Sequence, residues 1–346
     1  MKTYTIAERA KVLYQTVVDV FDYSSTSDIV TPTGVIESQL NSLPSIKGKI
    51  LVPGAGIGSY VNALIQRGVE PSDIYAVEIS PVTFRLGSRM FSRLGVNYVQ
   101  ADYLTWKPEM QFDVIVGNPP YQGGSFGKAV YKSLWPLFWA KSFSLLKPGG
   151  VVSLITPLTW CAPTADLAKR DAVDGETRLW NVFEKYSTRA DVTTIKSYFP
   201  GVGSSFSAVT VDTSGNSGLT FTNGYQTSLG FYPLSGPDEV QKQLSLSNNI
   251  SSNFSWKDDG SQWRVAIVKS RKVCEVNVEV CARDENPLSN LPGSLYAYVY
   301  CPTREQADHV RSRILECRDI LYKHCRYNGF IDLKITGMIS LNNEEL

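Results

Sequence analysis

Between Lys49 and Ile155, short apolar runs alternate with segments of helical spacing, and that alternation leaves the chain few architectures. Lys49-Ile-Leu-Val-Pro53 reads as a strand, Gly54-Ala-Gly-Ile-Gly58 as a glycine turn and Ser59 to Arg67 as a helix. Ile74 to Glu78 is a second strand, followed by a helix near Val82 to Leu94. Tyr98 to Gln100 and Phe112 to Val116 are the third and fourth strands. Tyr131 to Leu146 reads as a helix stopped by Pro148-Gly-Gly150, with Val151 to Ile155 as the fifth strand. Strands separated by helices do not form hairpins. They predict a parallel sheet with helices on both faces, an α/β, Rossmann-like doubly wound fold.

Outside this segment the pattern differs. Ala7 to Phe21 is helix-spaced, a polar stretch runs from Asp22 to Asp28, and Thr31-Pro32 leads into a short helix from Thr33 to Leu43 that Pro44 ends. Beyond Asp212 the alternation stops. Residues 213–230 and 245–255 are rich in Ser, Thr, Gly and Asn and read as turns. Strands are expected at Val265–Val268, Val276–Val280 and Leu295–Tyr300, and a helix at Thr303–Tyr322 carrying Arg304, Arg311, Arg313 and Arg318. The expected division is a larger unit, 1–212, opening with a helical segment, 1–45, and a smaller α+β unit, 213–346.

Net charge is +1, which does not advertise a polyanionic partner, although a total can hide a local basic face. Residues 213–346 hold 14 Lys+Arg against 15 Asp+Glu, so only the late helix and its flank to Arg326 concentrate cations. Those arginines suit either phosphate contact or a solvated helix face. Apolar runs such as Val151 to Ile155 are too short to cross a bilayer, so no membrane role is expected. Six scattered cysteines, no CxxC and only His309 and His324 predict neither a metal site nor a disulfide framework, and free cysteines suit a reducing cytoplasm.

In open parallel sheets, ligands bind at the carboxyl ends of the strands. Gly54, Gly56 and Gly58, with Pro53 and Ala55 between and before them, occupy the first such end. Glycine there allows positive φ and close approach of a ligand to the backbone. Glu78 follows Gly58 by 20 residues and ends the second strand, with Ile79 next. A carboxylate at that place can accept both hydroxyl hydrogens of a ribose. A nicotinamide cofactor would use the same geometry, but the glycine spacing is GxGxG rather than GxGxxG. Asp102, followed by Tyr103, ends the third strand and is either a ligand for an adenine amino group or a turn cap.

Asn118-Pro119-Pro120-Tyr121 follows the fourth strand directly. The lone pair of an aromatic or amide nitrogen is delocalised, so such nitrogens are poor nucleophiles. Two acceptors on the two N–H hydrogens draw the nitrogen toward sp³ and free its lone pair. The Asn118 side-chain oxygen and the Pro119 carbonyl can be those acceptors, and consecutive prolines hold the carbonyl in place. Tyr121 can stack on a base.

The order and chemistry of these motifs resemble the amino-directed DNA methyltransferases with the gamma motif order, in particular the Eco57I-like adenine-N6 enzymes of restriction-modification systems and phages. The resemblance covers about residues 28–212. It implies a class I S-adenosylmethionine-dependent fold and the cofactor S-adenosyl-L-methionine. It assigns Thr31, Pro32, Pro53, Gly54, Ala55, Gly56, Gly58, Glu78, Ile79, Asp102, Tyr103 and Asn118 to the cofactor, and Asn118, Pro119, Pro120 and Tyr121 to catalysis. Leu145 to Gly150 and Ile155-Thr-Pro157 match the following strand region. Tyr198-Phe-Pro-Gly-Val-Gly-Ser-Ser-Phe206 is similar to the late motif that offers an aromatic face to a flipped base, with Phe199 the first choice, Phe206 the second, and core packing the alternative. The glycine motif opens Val-Pro-Gly where many relatives have an acid. The resemblance further implies double-stranded DNA as partner, a target-recognition domain over 213–346, a restriction endonuclease as a possible companion, and a bacterial or phage-infected cytoplasm. The loop Gln122 to Lys128 is either a segment that closes on DNA or a plain solvent loop.

Other readings share parts of this pattern. Release-factor glutamine methyltransferases also carry NPPY but resemble a helical domain followed by the catalytic one, whereas here 213–346 follow the last motif. RNA adenine methylation uses the same acceptor chemistry. A DNA-binding specificity protein without activity is the reading from another class, and the intact Asn118, Pro119, Tyr121 and Glu78 weigh against it. N4-cytosine specificity more often goes with Ser where Asn118 stands.

Overall fold

The structure is a computed structural model of the 346-residue chain. It describes residues 4–19, 30–122, 133–163, 172–198, 206–227, 229–233, 237–268, 278–288, 296–327, 330–331 and 333–341. The chain divides into two compact units, residues 1–160 with 166–226, and residues 161–165 with 227–346.

In the first unit, α1 (Ile6–Val18) begins at a capping box in which Thr5 and Glu8 satisfy each other's backbone N–H groups. Such a cap contributes about 1 kcal/mol. Then come α2 (Thr33–Asn41), β1 (Ile50–Pro53), α3 (Ser59–Gln66), β2 (Ile74–Glu78), α4 (Pro81–Phe91), β3 (Asn97–Gln100) and β4 (Phe112–Gly117). They are followed by α5 (Trp135–Leu145), β5 (Leu146–Pro157), α6 (Leu179–Lys185), β6 (Ser187–Asp191), β7 (Phe206–Asp212) and β8 (Leu219–Phe221). Among the described residues these strands make one sheet in the order β3-β2-β1-β4-β5-β7-β6-β8. β3 through β5 run parallel, as the βα alternation requires, and β6 and β8 pair in parallel. β7 is antiparallel to both β5 and β6.

The strands facing both helical layers are apolar throughout. Ile50 to Val52 and Val114 to Val116 are buried, as are Val152, Leu154 and Ile155. α1, α3 and α4 cover one side through Ala10, Tyr60, Val61, Leu64, Met90 and Phe91. Trp139 and Trp160 pack edge to face on Phe183, ring centroids 5.0 Å apart, and Trp160 lies tilted against Trp180 at 5.8 Å, which fixes α6 against the end of β5 and α5. β5 starts earlier than the Pro148-Gly-Gly150 signal predicts. The chain stays extended through it, at the cost of a register shift opposite Phe112 and Val114. β8 falls inside the stretch that reads as turns and carries the first unit to residue 226.

The second unit is α+β, with α7 (Pro237–Gln243) and α8 (Ile250–Asn253) preceding its sheet in sequence. β9 (Trp263–Val268) is flanked by β10 (Val278–Ala282) and β11 (Tyr296–Cys301), both antiparallel to it. α9 (Arg304–His324) packs on this sheet through Ala307, Val310, Ile314, Cys317 and Leu321, a 3-4 spacing, after a capping box of Thr303 and Gln306. The arginines of α9 do not form a free basic stripe. Arg313 is 8% exposed and donates to the Ser340 carbonyl and to Glu316. Arg311 donates to the Val278 carbonyl, Arg304 pairs with Asp308, and Arg318 with Asp319. Among the described residues no helix is long and apolar enough to cross a membrane, and no cluster of His, Cys, Asp and Glu is arranged to hold a metal.

Candidate active site

β1 has β2 on one side and β4 on the other, so the carboxyl ends of these three strands flank the point where strand order reverses. The turn leaving β1 is held by Ala55 N–H on the Val77 carbonyl and Gly58 N–H on the Ala55 carbonyl. Gly56 has φ +55°, and a Cβ placed on it would meet nothing within 4 Å. The backbone at the crest of the turn therefore faces open space. On its other side the turn abuts the end of β4, where a Cβ on Gly54 would lie 3.4 Å from Pro120 Cδ.

Glu78 is 5% exposed. Its Oε2 accepts the Gly56 N–H and its Oε1 the Ser80 N–H, each at 2.7 Å. Two fixed backbone donors hold the carboxylate in one orientation. Ile79, beside it, is 63% exposed, an apolar surface at the mouth of the cleft. Tyr98, which the motif pattern does not single out, donates to the Gly56 carbonyl at 2.8 Å. Burial, with the negative charge of Glu78 second, pushes this phenol well above its ordinary range, so it stays a donor. Its place follows from the pairing of Tyr98 with Ala76, which only the assembled sheet reveals.

Asp102 Oδ1 accepts the Leu104 N–H at 3.0 Å, and the Asp102 carbonyl accepts from Thr105 and Trp106. The side chain thus caps its own turn, one of the two roles open to it from sequence. Tyr103 is turned into the core: its hydroxyl bonds Ser142 at 2.8 Å and its ring stacks on Phe138 at 5.0 Å.

The acceptor turn starts at the end of β4, which runs parallel beside β1. A Cβ on Gly117 would lie 3.1 Å from the Pro53 carbonyl, so the strand ends can meet this closely only at glycine. Asn118 Nδ2 donates to Thr31 Oγ1 at 3.1 Å, and Asn118 Oδ1 accepts the Tyr121 hydroxyl at 2.5 Å. Pro119 is buried and Pro120 exposed. Tyr121 stacks on Phe206, ring centroids 5.1 Å apart, within a cluster of Val35, Ile155, Ile195 and Ala208. Burial raises its pKa above the ordinary phenol value. Pro32 caps α2, its carbonyl accepting the Val35 N–H. Leu134 N–H on the Tyr121 carbonyl and a bridge between Gln122 and Ser133 bring together the two ends of the segment 123–132. Most of the loop Gln122 to Lys128 lies outside the described residues, as does Phe199. Phe206 is buried behind Tyr121. Tyr198, 40% exposed, lies over Gly34, where any Cβ would collide with its ring. Thr31 is thus brought to Asn118 and Tyr121 from a distant part of the chain, and Glu78 to Gly54 and Gly56. Gln39, which donates to the Gly117 carbonyl, and Tyr60, which donates to Gln39, carry no motif signal.

Residues 76–182 match the family model described as Eco57I restriction-modification methylase. Over 160 residues the chain is 28% identical to the type II methyltransferase M.TthHB8I of Thermus thermophilus, a match covering 39% of this chain and 36% of that protein. Over 128 residues it is 33% identical to the tRNA1(Val) (adenine(37)-N6)-methyltransferase of Glaesserella parasuis, covering 33% of this chain and 53% of that one. The chain thus spans about a third to a half of the length of these relatives. A solved structure of the ATP-dependent type ISP restriction-modification enzyme LlaBIII bound to DNA is similar with a TM-score of 0.47 and 13% identity, covering 77% of this chain and 26% of that one. Glu78 and the Asn-Pro-Pro-Tyr turn both fall within residues 76–182, the segment that matches the Eco57I restriction-modification methylase family model.

Proposed function

We propose that this chain transfers the methyl group of S-adenosylmethionine to the N6 amine of an adenine flipped out of double-stranded DNA. The observation that carries this reading is the Asn118 amide at the end of β4, its nitrogen tied to Thr31 and its oxygen turned to a hydroxyl donor.

The cleft residues fit the cofactor. Gly56 offers uncrowded backbone, Glu78 an oriented carboxylate for a ribose, and Ile79 an apolar face for an adenine ring. Pro53 to Gly58, Thr31 and Pro32 line the side next to the acceptor turn, while Tyr103 is left for its backbone alone. The bound sulfonium supplies an electrophilic methyl. The rest is the work of the chain. The Asn118 oxygen and the Pro119 carbonyl accept the two amine hydrogens, Tyr121 supports the base with Phe206 behind it, and no strongly basic side chain is required. In the absence of a base, the Tyr121 hydroxyl occupies the oxygen that the amine would use. A base inside a duplex cannot reach the strand end and must leave the stack. The second unit, following the last motif, is proposed to recognise the target sequence, and a restriction endonuclease is proposed as companion.

RNA adenine methylation is favoured by the likeness to a tRNA adenine enzyme and shares every residue named. Labelled methyl transfer to duplex DNA, RNA and release factor in parallel separates these acceptors. Label on DNA with none on the others is the expected result, and label on RNA or protein alone overturns the DNA assignment.

A further inference from the structure

Asn118 can present either its oxygen or its nitrogen to an incoming amine, because the two orientations differ only by a half-turn of the amide. Only the oxygen is useful. The chain therefore needs something that tells the two ends apart, and the Tyr121 hydroxyl cannot do so alone, since a hydroxyl donates or accepts.

Under the acceptor turn lies a set of polar side chains that the motifs do not explain. Gln39 of α2 is fully buried, Tyr60 of α3 is buried, and so is Thr31. Gln39 Nε2 donates to the Gly117 carbonyl at 3.4 Å. A carbonyl only accepts, so it fixes which way Gln39 faces and leaves Gln39 Oε1 toward Tyr60. The Tyr60 hydroxyl donates to that oxygen at 2.6 Å. Its one proton is then used, which leaves its oxygen an acceptor, and a hydrogen bond from Thr31 works against the rise that burial gives its pKa. The Thr31 proton turned to Tyr60 leaves Thr31 Oγ1 an acceptor, and Asn118 Nδ2 donates to it at 3.1 Å. Each step has one allowed direction, and the series begins at the residue before Asn118 and ends on the Asn118 side chain. A reversed amide would set two acceptors or two donors face to face in a part-buried site and leave those groups unsatisfied.

We infer that Gln39, Tyr60 and Thr31 are positioning residues, forming a one-way hydrogen-bond relay from the Gly117 carbonyl that turns Asn118 Oδ1 toward the target amine. This rests on the amine-acceptor reading of the site. Thr31 then acts through Asn118 rather than only as part of the cofactor wall.

The test is steady-state kinetics of Thr31→Val, Thr31→Ser and Tyr60→Phe with labelled S-adenosylmethionine and unmethylated genomic DNA, together with calorimetric titration of the cofactor. Valine keeps the shape of threonine and removes the hydroxyl. Thr31→Val is expected to lower kcat about tenfold or more while KM for DNA and the cofactor Kd change less than about threefold. Thr31→Ser restores most of kcat, and Tyr60→Phe, which breaks the relay one step away from Asn118, lowers kcat in the same sense and serves if Thr31→Val does not fold. An unchanged kcat in both Thr31→Val and Tyr60→Phe overturns the inference. So does a loss confined to cofactor Kd, or a serine that fails to rescue. Should the wild type label no DNA, the proposed activity fails separately. Neutron diffraction of the wild-type protein then decides the relay: deuterons on Asn118 Nδ2 directed at Thr31, and on Thr31 directed at Tyr60, support it, and the reverse order overturns it.

Discussion

Gly54 and Pro120 stand in contact, with room for a side-chain carbon on the glycine only at 3.4 Å from the proline ring. One ends β1 on the cofactor side and the other follows β4 on the acceptor side, so the two turns share a wall. Under the proposed function, a methyl donor held by the first turn and an amine held by the second would be kept adjacent by backbone packing rather than by side-chain reach.

The glycines of the turn separate binding from stability. A Cβ on Gly56 meets open space, so Gly56→Ala bears only the left-handed φ, about 1–2 kcal/mol, while its methyl intrudes where the cofactor would lie. A Cβ on Gly58, at φ +99°, meets Phe91 Cε2 at 2.5 Å. Gly56→Ala is expected to weaken cofactor binding about tenfold or more with a small drop in Tm, and Gly58→Ala to give the larger drop in Tm, read by calorimetric titration and thermal melts.

Tyr103 follows Asp102 in a cofactor motif, yet its hydroxyl is committed to Ser142. Tyr103→Phe leaves the buried Ser142 hydroxyl without that partner and is expected to cost about 1–2 kcal/mol in urea unfolding. Cofactor Kd is expected to stay within about twofold.

At the opposite end of β4, Asp113 accepts the Lys49 N–H at 2.7 Å and the Lys147 ammonium at 2.8 Å. Burial raises the Asp113 carboxyl, but the hydrogen bonds from Lys147 and the Lys49 amide, with the charge of Lys147, outweigh it and hold the pKa below the ordinary value. A depressed carboxyl stabilises the fold above its unfolded pKa, and that contribution fades as pH falls through the folded value. The stability difference between wild type and Asp113→Asn is therefore expected to be full at pH 7 and to shrink below about pH 4, measured by denaturant melts across pH. A difference that grows on acidification contradicts this.

Arg313 reads from sequence as a candidate phosphate contact, but its guanidinium is buried on the Ser340 carbonyl and Glu316. Arg313→Met is expected to lower the stability of the second unit by about 1–3 kcal/mol in limited proteolysis and melts. The salt dependence of DNA binding by the folded fraction is expected to keep its slope, since no phosphate contact is removed.

The parallel half of the sheet was legible because buried strands and amphipathic helices carry opposite periodicities. Lys49–Pro53, Ile74–Glu78 and Phe112–Val116 lie within a residue of β1, β2 and β4. β7 and β8 were not legible as a sheet extension, because three to seven residues without a flanking helix carry no topological signal. Motif residues such as Gly56, Glu78 and Asn118 could be named because their chemistry is local. Gln39, Tyr60 and Tyr98 could not. A buried glutamine on a helix or a tyrosine on a strand declares its role only when the sheet brings Gly117 or Gly56 against it.

The account stands on the Asn118 oxygen as acceptor of the target amine hydrogen. The most direct measurement is digestion to nucleosides of duplex DNA labelled by wild type and by Asn118→Ala at saturating cofactor. The expected result is N6-methyldeoxyadenosine from the wild type and a loss of about 100-fold or more in the variant, with cofactor Kd held within about threefold. Label in another nucleoside, or an Asn118→Ala protein that methylates at the wild-type rate, would contradict it.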